Sequence, residues 1–459
     1  MTLLEQIEAA GVVGCGGAGF PAHVKLAAQG VDTLIVNGAE CEPLLRTDRW
    51  LMRHRANEIV SAICAVKERL GAARAVIALK ESYINEIAAL RMAIGSASLP
   101  IEIFTLKDFY PAGDEQVQVF EVTGRVVSPG GLPLDVHCVV SNIATIYAIF
   151  HAMHGRPFTQ KYLAVTGAVA APCVVKAPIG TSFSDCLALA GGAENNDCVA
   201  DGCVVVSGGP MMGKPMTMEE ALASHVTKTT SGYIVLPERA RLWQKHVTEP
   251  RFTLQHARTA CVQCSFCTQL CPRWLLGHPI EPHRIMRRMA GPDWHEHLDN
   301  PVLRATQYCC ECGVCELIAC PMELRPREII SIVKQALAEQ GLRPVKGTGE
   351  YMPREFRDER AVPTVKAAFR AGAGPWYNTE ITRYIEANPR EVRIALNSHI
   401  GAPAVPVVKL GEHVKFGQLI AEPPEGKLGA RVHASIAGVV TQAGEYITIR
   451  AEEGSIWKA

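Results

Sequence analysis

Helix-like and strand-like hydrophobic patterns alternate over the first third of the chain. The runs VDTLIVNGAE (31–40) and ARAVIALK (73–80) are continuous apolar stretches that end in turn residues, as buried strands do. Between them, RWLMRHRANEIVSAICAVKERLG (49–71) has the spacing of an amphipathic helix. Strands that alternate with helices indicate an α/β layer, so we assign residues 1–157 to an α/β domain.

The pattern changes four times further along the chain. Residues 158–238 carry short β-rich runs with Gly and Pro turns, which indicate a small β-containing domain. Residues 250–340 hold short helices and most of the cysteines. Residues 341–391 are charged and interrupted by Pro and Gly, which favours an extended connector. Residues 392–459 have period-two strands with regular turns and are predicted to form a compact all-β module.

The composition argues against two classes of protein. The 459 residues carry 46 Lys and Arg against 46 Asp and Glu, with no basic stripe, so nucleic-acid binding is not expected. No apolar run reaches the roughly 18 residues of a membrane span. The first residues, MTLLEQIEAAGVVG, lack the basic region and cleavage site of a signal peptide, so we expect a soluble protein that is not secreted.

Seventeen cysteines need an explanation in a chain that is expected to stay in a reducing compartment. In such a compartment disulfides are not expected and metal ligation gains weight. Nine of the cysteines fall between Cys261 and Cys320. The other eight are scattered, and we interpret them as small buried apolar residues: Cys15, Cys41, Cys64, Cys138, Cys173, Cys186, Cys198 and Cys203.

Two closely spaced cysteine motifs carry the chemistry. CVQCSFCTQLCP (261–272) matches the ferredoxin pattern C-x2-C-x2-C-x3-C-P, whose fourth cysteine ligates the neighbouring cluster. CCECGVCELIACP (309–321) has one additional residue before its last cysteine. This residue is tolerable because the last cysteine ligates the neighbouring cluster and lies outside the loop that carries the first three. Only one residue separates Cys310 from Cys312, which does not match the C-x2-C spacing. We therefore interpret Cys310 as a bystander, a cysteine that ligates neither cluster.

The motifs therefore predict two 4Fe-4S clusters that exchange their fourth ligands. We expect one cluster on Cys261, Cys264, Cys267 and Cys320, and the other on Cys309, Cys312, Cys315 and Cys271. Two zinc sites are the competing interpretation, but zinc would need two C-x2-C pairs with a longer spacer at each site. The chain is thus predicted to conduct single electrons.

A glycine-rich segment near the N-terminus, GVVGCGGAGFPAHVKL (11–26), contains Gly14-x-Gly16-x-x-Gly19. A Rossmann fingerprint must follow a strand and open a helix, whereas here a helical stretch precedes the glycines and the first strand comes afterwards. The glycines still let backbone amides approach a phosphate or a flat ring closely. A glycine-rich turn without a ligand is the alternative.

Several motifs in one order carry a family resemblance: GGAGFP-x-x-x-K, NGAECEP, YPAGDEQ, TGRVVSPGGLPLDV, VSNIATIYAI and GGPMMG. Together they resemble the flavin- and NADH-binding subunit of respiratory complex I and, more closely, the C subunit of Rnf electron-transport complexes. Over the whole chain the sequence is most similar to the cobalamin reductases of propanediol-utilisation microcompartments. The resemblance implies an α/β multidomain fold: an FMN/NADH domain, an SLBB-like β-grasp domain, a ferredoxin-like domain with two 4Fe-4S clusters, and a C-terminal barrel-sandwich hybrid. The segment PPEGKLGARVHA (423–434) offers only Lys427, without the setting of a carrier lysine, so we expect no lipoyl or biotinyl modification.

The same resemblance implies roles for thirteen residues. The flavin phosphate and dinucleotide side would be lined by Gly16, Gly17, Gly19 and Lys25, with Phe20 as a stacking surface or, alternatively, a core aromatic. The flavin ring and ribityl chain would be held by Asn37, Glu40 and Glu42. The nicotinamide would be bordered by Gly113 and Glu115, and the phosphate end closed by Ser141, Asn142 and Thr145. Cys15 and the residues around Glu115 depart from the family pattern.

The implied function is electron transfer from NADH through FMN and the two clusters to cob(III)alamin and cob(II)alamin. The implied partners are the cobalamin substrate, a corrinoid adenosyltransferase and the shell proteins of a bacterial microcompartment in the cytoplasm. A peripheral NADH-oxidising subunit of an Rnf complex is the first alternative. An electron-relay protein without flavin is the second.

Overall fold

The computed structural model describes residues 1–193, 202–291 and 293–452. Its N-terminal region contains a four-stranded parallel sheet in the order β3-β2-β1-β5. The strands are β1 (Thr33–Asn37), β2 (Arg74–Lys80), β3 (Glu102–Leu106) and β5 (Cys138–Asn142), and the short β4 (Phe109–Tyr110) lies outside this sheet. Asn37 pairs with Asn142 across β1 and β5, so the carboxyl ends of these two central strands lie side by side.

Helices surround this parallel sheet, as the alternating pattern predicts. They are Leu3–Ala9, Ala22–Lys25, Thr47–His54, Ala56–Leu70, Ile84–Ser96, Glu115–Thr123 and Ile143–Met153. The single helix predicted over 49–71 is wrong, because the backbone leaves the helical conformation at Arg55, with φ −131°. The break lets the first helix face a cleft while the second buries Ile59, Ile63 and Val66.

The second region is built on a six-stranded mixed sheet in the order β12-β7-β6-β10-β8-β9. Its strands are β6 (Gln160–Gly167), β7 (Cys173–Pro178), β8 (Cys203–Ser207), β9 (Lys214–Thr217), β10 (Gly232–Pro237) and β12 (Arg383–Glu386). The helices Phe183–Leu189 and Met218–Leu222 accompany it.

The segment 341–391 is more structured than the extended connector that the sequence predicts. Its strand β12 pairs with β7 of the second sheet, and its β11 (Val362–Pro363) pairs with β4 of the N-terminal region. It also forms the helix Thr364–Ala371. The two strands gain their hydrogen bonds from strands far away in sequence, which a local charged and Pro-rich pattern does not reveal. The domain boundaries themselves stay predictions.

The cysteine-rich region consists of short helices, as expected. The α-helices are Arg241–His246, Pro250–Ala260, Phe266–Gln269, Pro272–Leu275, Pro282–Arg288, Pro301–Arg304 and Pro326–Glu339. One π-helix, Val314–Ala319, lies inside the second cysteine motif. Short 3-10 turns occur at Pro133–Val136, Trp294–His297, Ala305–Tyr308, Asp358–Arg360 and Gly374–Trp376.

The C-terminal module packs two small antiparallel sheets, β13-β19-β18-β15 and β14-β16-β17. The strands are β13 (Glu391–Ala395), β14 (Val405–Pro406), β15 (His413–Val414), β16 (Leu419–Glu422), β17 (Val432–His433), β18 (Gly438–Ala443) and β19 (Tyr446–Arg450). Alternate residues such as Val392, Ile394 and Ile447 form its core, which is the period-two pattern expected of β-strands. Within the three described ranges of the chain, no helix is long and apolar enough to cross a membrane.

The scattered cysteines follow the expectation in part. Cys15, Cys138, Cys173 and Cys186 are buried, and Cys41 and Cys64 are half-buried. Cys203 is disulfide-bonded, so the expectation that disulfides are absent is wrong for this residue. Cys198 lies outside the described residues.

Candidate functional site

One cleft brings together all thirteen residues that the resemblance implies for the flavin and nicotinamide. Its volume is about 690 Å³, and its lining includes Gly16, Gly17, Gly19, Phe20, Lys25, Asn37, Glu40, Glu42, Gly113, Glu115, Ser141, Asn142 and Thr145. A cleft of several hundred Å³ is the usual size for a cofactor site. It lies at the carboxyl ends of β1 and β5, where open α/β sheets bind their ligands.

The two central strands end in asparagines that organise the cleft. Asn37 Nδ2 donates to Gly113 O at 2.9 Å, and its Oδ1 accepts a hydrogen bond from Gln118 Nε2 at 2.9 Å. Asn142 Nδ2 donates to Asp48 Oδ2 at 2.6 Å. Asn142 Oδ1 also accepts the backbone N–H of Ala144 and so caps the helix Ile143–Met153. Each strand end is thereby fixed to a neighbouring loop.

The glycine-rich loop crosses this strand edge and leaves room for a ligand. Cys15 N donates to Thr145 Oγ1 at 2.9 Å, which anchors the middle of the loop. A Cβ at Gly16 would lie 3.0 Å from Asn142 Cβ, whereas a Cβ at Gly17 would meet nothing within 4 Å. The backbone of Gly17 is therefore open to a phosphate, and the structure fits the resemblance here. Phe20 is 39% exposed at the rim and is not a core aromatic.

Lys25 and Glu115 form an ion pair at the mouth of the cleft. Lys25 Nζ lies 2.7 Å from Glu115 Oε1, and both side chains are about two-fifths exposed. Glu115 opens the helix Glu115–Thr123, whose N-cap is Asp114. Asp114 also pairs with Arg273 at 2.9 Å, and that pair is only 10–12% exposed. Arg273 follows the first cysteine motif, so this buried pair joins the cysteine region to the cleft.

Three carboxyl groups in the cleft have raised pKa values. Burial raises the pKa of Glu40 to about 8, of Glu42 to about 7 and of Asp48 to about 6. Glu40 accepts the backbone N–H groups of Asp48 and Arg49 at 2.9 and 3.1 Å, at the start of the helix Thr47–His54. These contacts hold the loop that carries Glu40 and Glu42 against the sheet, which is a positioning role.

Glu42 connects the cleft to the second cysteine motif. Its Oε1 lies 3.2 Å from the Tyr110 hydroxyl, which in turn donates to Cys312 O at 2.8 Å. Cys312 is itself part of the cleft lining. Glu42 Oε2 accepts the backbone N–H of Met211 at 2.9 Å. Through the Tyr110 hydroxyl, Glu42 is thus linked to the backbone of a predicted cluster ligand.

The GGPMMG loop (208–213) borders the cleft from the second sheet, and its sequence predicts a tight loop near the cofactors without indicating a chemical role. A Cβ at Gly209 would lie 2.0 Å from Glu42 Oε2, and a Cβ at Gly213 would lie 2.4 Å from Gly209 O. Only glycine fits at these two points of close approach. Arg327, from the cysteine region, donates to Met211 O at 2.6 Å. The loop is therefore held between the cleft and the cysteine region.

Further cleft residues were missed by sequence reasoning: Asp48, Asp114, Lys161, Lys214, Thr229 and Ser231. Lys161 is 3% exposed, and its charge favours ionisation of the buried Asp48. Asp48 follows the NGAECEP motif closely in sequence, and that proximity could have indicated that it lines the cleft. Lys161 starts a strand of another sheet, and no local pattern indicates that it points to the flavin cleft.

The four cysteines predicted for the first cluster share one small cavity. It is lined by Cys261, Cys264, Cys267 and Cys320. Burial, followed by the neighbouring thiols of Cys320, Cys261 and Cys264, raises the pKa of Cys267 to about 12. Gln263 Nε2 donates to Cys261 Sγ at 3.0 Å, and Leu324 N donates to Cys320 Sγ at 3.3 Å. Hydrogen bonds to sulfur of this kind tune iron–sulfur clusters.

The cysteines predicted for the second cluster also lie near one another. Burial, followed by the thiols of Cys310 and Cys271, raises the pKa of Cys309. Burial, followed by Cys309 and then Glu316, Cys267 and Cys271, raises the pKa of Cys315. Cys271 therefore lies beside the second motif, as the exchanged-ligand prediction requires, although the ligand assignment stays a prediction. Cys315 and Cys267 pack in one small apolar cluster, so the two cysteine sets adjoin.

The cysteine thiols are the candidate ligands of a metal group. Within the described part of the chain, no three or more His, Cys, Asp or Glu side chains converge on a single metal ion. The first four thiols line one small cavity and the second four lie near one another, which fits the cluster interpretation.

Backbone conformation sets the register between the two motifs. Gln263 and Ser265 have positive φ angles of 55° and 64°, and Glu311 and Gly313 have positive φ angles of 59° and 77°. These residues occupy equivalent places if Cys309, Cys312 and Cys315 correspond to Cys261, Cys264 and Cys267. Cys310 then corresponds to Val262, which is not a ligand position. The geometry supports the interpretation of Cys310 as a bystander.

Comparisons with known proteins agree with this arrangement. The sequence matches family models for the Nuo51 FMN-binding domain over residues 7–151, the SLBB domain over 162–215, the 4Fe-4S dicluster domain over 260–325 and the RnfC barrel sandwich hybrid domain over 369–455. The fold and the site thus define a flavin and iron–sulfur oxidoreductase with a complex-I-type FMN domain.

The curated relatives narrow this class. The chain is 42% identical over 443 residues to cobalamin reductase PduS of Salmonella typhimurium, covering 96% of this chain and 94% of that one. It is 40% identical to cobalamin reductase PduS of Citrobacter freundii, covering 97% and 95%. The C subunit of the Na⁺-translocating ferredoxin:NAD⁺ oxidoreductase complex of Acetobacterium woodii is 34% identical, over 57% of this chain and 56% of that one. The chain belongs to the PduS cobalamin reductase family.

Proposed function

We propose that this protein is an NADH-dependent cobalamin reductase. The observation that carries the proposal is that Cys312, a predicted cluster ligand, lines the same cleft as the thirteen flavin and nicotinamide residues. FMN, when bound, accepts a hydride from NADH and releases electrons singly, and 4Fe-4S clusters carry single electrons. The near full-length similarity to cobalamin reductases supports cob(III)alamin and cob(II)alamin as acceptors.

The chain's own residues would hold the flavin and NADH by position and not by acid–base chemistry. The open backbone at Gly17 and the charge of Lys25 suit the phosphates, together with Gly16 and Gly19. Asn37, Glu40 and Glu42 would orient the ring and ribityl chain. Gly113 and Glu115 would border the nicotinamide, Ser141, Asn142 and Thr145 would close the phosphate end, and Phe20 would offer an exposed ring at the rim.

The placement of the cysteines supports an order for the clusters. Cys309, Cys312, Cys315 and Cys271 would hold the proximal cluster, since Cys312 lines the flavin cleft. Cys261, Cys264, Cys267 and Cys320 would hold the distal cluster. Cys264 is exposed, so electrons would leave the protein from this second set. The contact between Cys267 and Cys315 would link the two.

The proposal extends to the surroundings of the protein. The acceptor would be supplied as a corrinoid, and the reduced corrinoid would pass to an adenosyltransferase. The protein would act in the bacterial cytoplasm inside a microcompartment, in contact with shell proteins. An Rnf-type peripheral role is less well supported, because that similarity covers 57% of the chain. A relay without flavin is disfavoured by a cleft that retains every predicted flavin residue.

The test uses anaerobically purified protein. Flavin, iron and sulfide are measured first, followed by an absorbance titration with NADH and a cob(III)alamin turnover assay. We expect one FMN and about eight irons per chain, with flavin and cluster bands both bleached by NADH. Eight irons without flavin, and no bleaching by NADH, would replace the reductase with a relay that takes electrons from another protein.

A further inference from the structure

The C-terminal β module is seated against the glycine-rich loop of the flavin cleft. The backbone N–H of Ile400 donates to Gly19 O at 3.1 Å. Gly19 has a φ of +78°, and a Cβ there would lie 3.0 Å from Ser398 O and 2.9 Å from Thr229 Cγ2. Glycine alone combines this backbone conformation with so close an approach. The end of the loop is thus fixed by the β module.

Lys228 fixes the other end of the loop. This lysine is 1% exposed, and its Nζ donates to Gly11 O at 2.7 Å and to Arg431 O at 2.5 Å. Burial lowers the pKa of Lys228 to about 7. The side chain comes from the second region of the chain, Gly11 belongs to the flavin domain, and Arg431 belongs to the β module. One buried amine therefore joins three regions just before the glycine-rich loop begins.

The surrounding surfaces are closely packed. A Cβ at Gly11 would lie 2.2 Å from Arg431 O. Ala430 of the β module is 3% exposed and belongs to the same apolar core as Ile7 and Leu26 of the flavin domain. Contacts of this closeness are typical of a protein interior and not of a mobile carrier domain.

We propose that the β module is a structural part of the flavin site, in which Lys228 and Ile400 position the segment between Gly11 and Gly19 for the cofactor phosphate. Both carbonyl groups that flank the segment, Gly11 O and Gly19 O, are held by contacts that involve this module. Between them, the backbone N–H of Cys15 is anchored on the neighbouring helix of the flavin domain. The inference rests on the proposed function, because the ligand of the loop is taken to be FMN.

The experiment pairs two variants with two matched controls in the full chain. Lys228→Met removes the buried amine, and Lys415→Met removes an exposed lysine of the β module. Ile400→Pro removes the N–H that Gly19 O accepts, and Ile400→Ala keeps it. The measurements are the Kd for FMN of flavin-depleted protein, hydrogen exchange of a peptide covering 11–20, and iron content as a check of the cysteine region.

We expect Lys228→Met and Ile400→Pro to raise the Kd for FMN about tenfold or more, since each leaves a carbonyl of the loop without its partner. Hydrogen exchange of the loop should become faster in the same two variants, with iron content unchanged. If Lys228→Met does not fold, Ile400→Pro decides the question. An FMN affinity equal to that of the controls in the folded variants would overturn the positioning role. Failure of the wild-type chain to bind FMN would instead overturn the proposed function.

Discussion

The two cysteine motifs follow the same backbone path in different surroundings. Each loop uses positive φ angles at the same two positions, at Gln263 and Ser265 in the first and at Glu311 and Gly313 in the second. The second loop is bound to the flavin cleft through the Tyr110 hydroxyl on Cys312 O. The first loop instead opens to solvent. In the proposed order of the clusters, two loops with the same pattern of positive φ angles would serve as the entry and the exit of one electron path.

The polar environments of the two loops differ as well. Arg327 donates to Met211 O and lies 3.4 Å from Glu316, so charged groups surround the second loop on the side of the GGPMMG loop. Val262 and Phe266 of the first loop are 62% and 46% exposed. The spacing of the cysteines is therefore what predicts the kind of metal group. The contacts of each loop with the neighbouring domains support the proposed direction of electron transfer.

The sharpest test of the comparison removes one ligand from each motif. We expect Cys312→Ala and Cys264→Ala each to lose one cluster, so that iron falls from about eight to about four per chain. In Cys312→Ala the remaining cluster should no longer be bleached by NADH, because the proximal position is empty. In Cys264→Ala the proximal cluster should still be bleached, while cob(III)alamin reduction is lost.

Cys310→Ala is the matched control for this experiment. Cys310 corresponds to Val262 in the register of the two loops, so the variant should keep about eight irons and its response to NADH. Iron content and anaerobic absorbance spectra measure both properties. Equal responses of Cys312→Ala and Cys264→Ala to NADH would contradict the order of the two clusters.

The second prediction concerns pH and the carboxyl group beside the proximal loop. Burial raises the pKa of Glu42 to about 7, so the folded state binds a proton more tightly than the unfolded state. Its contribution to stability is present at low pH and is lost as the pH rises from about 4.5 through about 7. The free energy of unfolding of the wild type should therefore fall by about 2–3 kcal/mol between pH 5 and 8 because of this group. In Glu42→Gln that part of the fall should be absent.

The measurement for Glu42→Gln is the midpoint of urea unfolding at several pH values. Glu425→Gln alters an exposed carboxyl of the β module and serves as the control. The control should keep the wild-type dependence on pH. A Glu42→Gln profile that runs parallel to the wild type would mean that this carboxyl titrates in the folded protein as it does in the unfolded chain.

The third prediction loosens the contact between the cleft and the proximal loop. In Gly209→Ala the added methyl would lie 2.0 Å from Glu42 Oε2, so Glu42 and the loop at residue 209 must move apart. We expect a destabilisation of about 1–3 kcal/mol and slower bleaching of the clusters after NADH, with flavin bleaching retained. Stopped-flow absorbance measures the rate of cluster bleaching and the rate of flavin bleaching separately. Gly444→Ala, where a Cβ meets nothing within 4 Å, should leave both rates unchanged.

Local sequence signals predicted most of the candidate site. The glycines at 16, 17 and 19, Asn37 and Asn142, and the eight cysteines predicted as ligands come from short motifs. The structure brings the first group into one cleft, the cysteines of the first predicted cluster into one cavity, and those of the second near one another. The missed features depend on distant partners. The strand β12 is stabilised by pairing with β7, and the β module reaches Gly19 through Ile400. No periodicity within 341–400 encodes those contacts.

The π-helix is a feature that the sequence indicated without identifying it. The spacing Cys315-x4-Cys320 has one residue more than Cys267-x3-Cys271. A π-helix advances by one additional residue per turn, with i→i+5 hydrogen bonds. Val314–Ala319 therefore places Cys320 one turn beyond Cys315, as the α-helix Phe266–Gln269 does for Cys271 and Cys267. The additional residue is accommodated within the helix itself.

Because the two helical turns are equivalent, shortening the second motif by one residue should have little effect on the clusters. Deleting Ala319 converts the second motif to the spacing of the first, and the π-turn can become an α-turn. We expect both clusters to be retained, at about eight irons, with a stability loss of about 1 kcal/mol from repacking. Deleting Gln269 is the matched control, because it shortens the first spacing to x2 and should displace Cys271 from the proximal cluster. Equal iron loss in the two deletions would mean that the π-turn is itself required for ligation, and the two motifs would then differ in more than their surroundings.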